Sequence, residues 1–158
     1  MNYICIEGNI GSGKTSLAKK LAQHFNAEFV GEEFEDNPFL PLFYKEPEKF
    51  AFALEVSFLL DRARQLSSLR HSLPNKIHIS DYHIEKCLYF AKINLNEVQF
   101  AEFEKAFPSV SSLVPPPDLL VYLHLSEDAL MKNISARGRI AEKEIDKNYL
   151  QKISGAGG

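Results

Sequence analysis

The chain has 158 residues, 45% of them apolar, enough for one domain spanning 1–158 with a real core. Its 18 basic and 21 acidic residues leave a net charge of −3 with no basic block, which argues against a nucleic-acid surface, whose mark is a clustered positive stripe. No apolar stretch approaches the roughly 18 residues of a membrane span, and no signal peptide precedes the first strand, so the expectation is a soluble, cytoplasmic protein that binds no membrane.

Strand-like composition opens the chain at 2–7, where Tyr3-Ile-Cys-Ile-Glu7 reads as a buried strand. Residues Gly8, Asn9, Ile10, Gly11, Ser12, Gly13, Lys14 and Thr15 then match G-x-x-x-x-G-K-[ST] at every fixed position. Ser16 follows, at the start of a helical pattern with Leu17, Leu21 and Phe25 four apart on one face. In that strand–loop–helix setting the motif is a phosphate cradle for a nucleoside triphosphate rather than a plain Gly-rich turn. Its glycines let backbone N–H groups turn inward, the helix N-terminus adds positive potential, Lys14 reaches the terminal phosphates, and Thr15 can ligate Mg²⁺.

A second strand is expected at 27–31, followed by the acidic run Glu-Glu-Phe-Glu-Asp-Asn-Pro38. Pro38–Tyr44 reads as a short helix or turn. Pro47 opens a long helix to about 73, carrying Phe50, Leu54, Phe58 and Arg62 at four-residue spacing. A strand at 76–80 ends on Asp81, with helices expected at 83–94 and 96–107. Pro115-Pro-Pro117 is a stiff lead into Leu119–Leu125, apolar enough to read as a central strand. Ser126 caps a helix at 127–136, Arg137-Gly-Arg139 follows, and a last helix is expected at 140–153. This alternation is that of an α/β fold: a P-loop NTPase-type parallel sheet flanked by helices, with an Arg-bearing lid.

Ligands of such sheets bind beyond the C-terminal strand ends. Glu32 and Glu33 stand after strand two, where a general base for an acceptor hydroxyl is needed, although an acidic surface loop has the same composition. Asp81 stands after strand three, either supporting Mg²⁺ with Thr15 or capping a helix. Arg137 and Arg139 flank a glycine and can clamp a transferring phosphoryl group, the alternative being helix-terminal surface arginines. Cys5 and Cys87 read as small buried hydrophobes, and the five histidines show no metal-ligand spacing.

Several motifs in order now point to a family. GNIGSGKT at 8–15, E-x-F-x-x-N-P at 32–38, F-Y-x-x-P at 43–47, F-x-L-E-x-x-F-L-x-x-R at 52–62 and R-G-R-x-x-E at 137–142 together closely resemble the deoxyribonucleoside kinases, above all their bacterial branch. The resemblance runs to about residue 153 and implies ATP-dependent phosphorylation of a deoxyribonucleoside 5′-hydroxyl, with Mg²⁺, by a homodimer packed through helices. It makes Glu32 the base, with Tyr44 and Glu142 holding the sugar 3′-hydroxyl. Glu55, at a position that is usually Gln, would bond the nucleobase edge, and Leu54, Phe58 and Phe90 would line the base. Arg62 lies further along the same pocket, and Arg137 and Arg139 match the lid arginines. Glu55 with Arg62 favours a purine, guanine above adenine.

Four departures accompany it: Asp81-Tyr82 where an acidic-Arg dipeptide is usual, Asn133 where a lid-helix arginine is usual, Glu55 for Gln, and an end at residue 158 where members usually continue into another strand and helix, so the expectation is a chain that lacks the C-terminal end of the family fold. A regulatory GTPase is excluded, since no [NT]-K-x-D guanine-reading motif occurs. A nucleoside monophosphate kinase and a non-catalytic nucleotide-binding module are the alternatives.

Overall fold

Residues 2–72, 74–138 and 147–156 are described in the computed structural model of the chain. Among the described residues four parallel strands, β1 (Tyr3–Gly8), β2 (Glu28–Val30), β3 (His78–Ser80) and β4 (Leu119–Leu123), form one sheet in the order β2-β3-β1-β4. In register, Cys5 lies beside Ser80 on one side and Leu120 on the other, and Val30 beside Ser80. The helices are α1 (Lys14–His24), α2 (Leu40–Lys45), α3 (Pro47–Ser67), α4 (Lys86–Asn94), α5 (Glu97–Ser111), α6 (Glu127–Arg137) and α7 (Lys147–Ala156). No described helix is long and apolar enough to cross a membrane. The chain's contacts sort into two compact units, one of Met1–Val30, Ile77–His83 and Pro117–Gly158, the other of Gly31–Lys76 and Ile84–Pro116.

The first unit holds the whole sheet. Ile6 and Ile79 are completely buried against Ala18 and Ala22 of α1, with Leu17, Leu21, Phe29 and Val121 packed around them. The buried stripe of α1 is therefore centred on alanines, whose small side chains let the helix approach the sheet closely. The expected Leu17–Leu21–Phe25 line is only its flank, and Phe25 lies past the helix end, 53% exposed. A larger correction concerns β4. Among the described residues it pairs only with β1, and Leu119, Leu120 and Tyr122 are 43%, 54% and 57% exposed. An apolar run marks a strand that can be covered on both faces, but says nothing about whether both edges are paired. Among the described residues the strands paired on both edges are β1 and β3.

The second unit is helical. α3 begins with Pro47, where a missing N–H costs nothing, and packs against α2, α4 and α5. Its buried line includes Leu54, Leu59, Ala63 and Leu66, and also the charged Glu55 and Arg62. It ends at Ser67, short of 73, and tightens into a 3₁₀ turn at Ser68–His71. Arg70 donates there to the carbonyls of Ser112 and Leu113, each at 2.8 Å. α5 starts in a reciprocal cap between Asn96 and Gln99 and runs through Pro108 to Ser111, past the expected end at 107. Proline removes one helix hydrogen bond without preventing the Ser112 N–H from reaching the Pro108 carbonyl at 3.1 Å, and the buried Phe103 and Phe107 anchor the helix.

Candidate active site

β1 delivers the chain into the Gly8–Thr15 loop, and α1 starts directly from it. Gly13, the residue before α1, has φ 86° and ψ 14°, a left-handed conformation that disfavours any side chain. Gly11 has φ 82°, and a Cβ there would stand 2.8 Å from the Leu130 carbonyl oxygen. The loop is pinned from behind. Asn9 Nδ2 donates to the Leu150 carbonyl at 2.9 Å and to Ser154 Oγ at 3.0 Å, and Asn133 Nδ2 donates to the Gly11 carbonyl at 2.7 Å. Asn133, the residue found where a lid arginine is usual, thus braces the loop.

Lys14 Nζ rests 3.3 Å from the Asn9 carbonyl oxygen. Ser12 Oγ is buried with no hydrogen-bond partner, a polar atom inside a cradle that phosphate oxygens would satisfy. Thr15 Oγ1 donates to Asp81 Oδ2 at 2.6 Å, so the strand-three carboxylate meets the loop hydroxyl directly. This hydroxyl and carboxylate suit Mg²⁺, which prefers oxygen ligands and takes most of them from phosphate and water. Among the described residues no group of three or more His, Cys, Asp or Glu could hold a metal alone. Glu7, not singled out from sequence, accepts from the His83 N–H at 2.7 Å and fixes the chain just after Asp81.

In the second unit, Glu32 is half-buried while Glu33 is exposed. Arg62 Nη2 donates to Glu32 Oε1, and Lys86 Nζ donates to Oε2 at 2.6 Å. Arg62 also donates to Cys87 Sγ at 3.3 Å and lies over the Phe58 ring at 4.7 Å. Burial works against the Arg62 charge, but Glu32 and Cys87 outweigh it and hold the guanidinium proton above its ordinary range. Each terminal nitrogen of Arg62 thus has a partner while its Nε is buried without one, and the guanidinium stands as a brace for Glu32. Lys86 was not legible as a site residue, because a lysine opening a helix ordinarily faces solvent.

Glu55 is 2% exposed. Asn94 Nδ2 donates to its Oε1 at 3.0 Å, and Oε2 is buried without a partner. Burial pushes the carboxyl above the usual range, opposed in part by the Asn94 bond and the Arg62 charge.

The sequence profile of the family described as deoxynucleoside kinase matches residues 4–156. The chain belongs to the deoxynucleoside kinase family. It is 37% identical over 153 residues to a deoxyguanosine kinase of Bacillus subtilis (strain 168), covering 96% of this chain and 74% of the relative. It is 31% identical over 158 residues to a deoxyadenosine kinase of Dictyostelium discoideum, covering 98% of this chain and 64% of the relative. The fold matches a deoxyadenosine kinase from M. mycoides with the products dCMP and a flexible dCDP bound, with TM-score 0.85 and 23% identity over 98% of this chain and 80% of that one. Of the residues which the resemblance to deoxynucleoside kinases singles out, Leu54 is buried on α3, Phe90 lies on α4 with Lys86 Nζ 5.5 Å from its ring, and Tyr44 is 53% exposed on α2. Arg137 closes α6 before Gly138 at φ 65°. Arg139 and Glu142 lie outside the described residues.

Proposed function

We propose that this deoxynucleoside kinase transfers the γ-phosphoryl group of ATP to the 5′-hydroxyl of a purine deoxyribonucleoside. The observation that carries the reading is Glu32, a half-buried carboxylate held by two cations two residues after β2, in a chain with an intact phosphate cradle after β1. Glu32 takes the hydroxyl proton while Lys14 and the loop amides bind the phosphates. Thr15 and Asp81 would hold Mg²⁺, which when bound neutralises phosphate charge. Tyr44 with Glu142 would grip the 3′-hydroxyl, Leu54, Phe58 and Phe90 would line the base, and Arg137 and Arg139 would close on the phosphates. The reading includes a cytoplasmic setting and a homodimer, for which the exposed Leu60 and Val98 on α3 and α5 offer apolar surface. The test is transfer of label from γ-labelled ATP to deoxynucleosides, ribonucleosides and nucleoside monophosphates. Transfer to a 2′-deoxyribonucleoside above its ribo form is expected. Equal use of both forms overturns the sugar preference, and transfer to monophosphates alone overturns the whole assignment.

Glu55 supplies the base preference. Guanine presents adjacent donors at N1 and its 2-amino group, matching a carboxylate whose Oε2 has no partner. Glu55→Gln should lower the deoxyguanosine-to-deoxyadenosine kcat/KM ratio by about 10- to 100-fold, since a mispaired buried group costs roughly 1–3 kcal/mol. The same variant carries a pH signature. The Glu55 carboxyl is raised above its ordinary 4.5 in the folded protein, so its contribution to stability is present below that value and is lost as pH rises through the folded pKa. Glu55→Gln has no such loss, and its advantage in urea unfolding should therefore grow with pH. An unchanged base ranking, or an advantage independent of pH, counts against this role for Glu55.

A further inference from the structure

Glu32 is paired with two cations, Arg62 on one carboxylate oxygen and Lys86 on the other. Arg62 is fixed in place: it is 5% exposed, lies over Phe58 and bonds Cys87 as well as Glu32. Lys86 differs in kind. Its compact ammonium sits on a flexible stem at the first residue of α4, its side chain is 12% exposed, and its hydrogen bond goes to Glu32 Oε2, with the Phe90 ring 5.5 Å away.

The reaction changes the charge at that oxygen. Resting on the reading of Glu32 as base, the 5′-hydroxyl proton passes to Glu32. The 5′-oxygen bonds to the γ-phosphorus, and the bond from that phosphorus to the β-phosphate oxygen breaks, releasing ADP. A neutral Glu32 no longer holds an ammonium as an ion pair, while a phosphate monoester of about −1.5 to −2 charge has formed on the oxygen that Glu32 served. We propose that Lys86 is a two-station cation, held by Glu32 before transfer and ligating the 5′-phosphoryl group after it. Arg62 stays as the fixed brace that keeps Glu32 in place when Lys86 leaves. Position 82 cannot serve in its stead, because Tyr82 is fully buried and uncharged.

The test compares Lys86→Met and Lys86→Arg in the full chain, with calorimetric binding of dGMP and dAMP set against binding of deoxyguanosine and deoxyadenosine. Lys86→Met should weaken binding of the bound monophosphate by about 10- to 100-fold, the worth of a charge-assisted hydrogen bond, while its parent nucleoside binds within about threefold of wild type. Turnover should fall with little change in nucleoside KM, and Lys86→Arg should recover most of both losses. If Lys86→Met does not fold, Lys86→Gln carries the same comparison. Unchanged monophosphate affinity overturns the proposal, as does equal weakening of nucleoside and monophosphate, which marks a merely structural lysine. Wild-type turnover in Glu32→Gln defeats the reading beneath it. A slow Glu32→Gln beside a Lys86→Met of wild-type monophosphate affinity defeats the Lys86 role alone.

Discussion

Lys14→Ala should reduce phosphoryl transfer by at least about 10³-fold while leaving the protein folded. A preorganised donor aimed at developing charge is worth about 10²- to 10³-fold, and a full cation on the terminal phosphates stands at the upper end of that range. The loop does not need Lys14 for its shape. Its backbone is set by the left-handed Gly11 and Gly13 and pinned by Asn9 on Leu150 and Ser154 and by Asn133 on the Gly11 carbonyl. Lys14 Nζ adds a long bond to the Asn9 carbonyl oxygen, at 3.3 Å, to a frame that the glycines and asparagines already set. Thermal unfolding of the variant should therefore overlay wild type, and label transfer from ATP should be the quantity that collapses. Transfer within tenfold of wild type would mean that the cradle does not act on the transferred group.

Legibility followed the distance along the chain over which each feature is determined. The phosphate cradle occupies eight consecutive residues whose backbone conformation depends on its own glycines, so it could be read directly. The Thr15–Asp81 bond spans 66 positions, yet each partner was legible because Thr15 belongs to the loop motif that follows β1 and Asp81 directly follows the neighbouring strand β3. The Glu32–Lys86 bond spans 54 positions and depends on how α4 packs in the helical unit, which no local pattern specifies. Composition misled where it reports burial without position. The apolar run at 119–125 could not say that β4 pairs with β1 alone among the described residues, and the Leu17–Leu21–Phe25 spacing hid an alanine stripe one residue over. Arg62 was legible as a residue on the right face of α3 but not as the partner of Glu32 and Cys87, since a guanidinium takes its task from whatever carboxylate reaches it.

Glu32→Gln should lower turnover by about 10²- to 10⁴-fold, the usual contribution of a general base, with Glu33→Gln near wild type. The two residues are adjacent, so a loss of local charge alone would affect them similarly. Their surroundings separate them. Glu32 is half-buried with Arg62 on one oxygen and Lys86 on the other, while Glu33 is exposed. Glutamine keeps the shape and one carbonyl oxygen for Arg62 but cannot accept a proton at neutral pH, and its amide would turn N–H groups toward Lys86. That second effect predicts more than a slower reaction. Part of the ion-pair energy in the cluster is lost, so Glu32→Gln should also unfold at lower temperature, whereas Glu32→Asp should keep the charge, shorten the reach and retain more activity than Gln. Turnover of each variant with ATP and a deoxynucleoside, measured beside thermal unfolding, separates these effects. A Glu33→Gln slower than Glu32→Gln would move the base to the neighbouring carboxylate and leave the Arg62–Glu32–Lys86 cluster with a structural role alone.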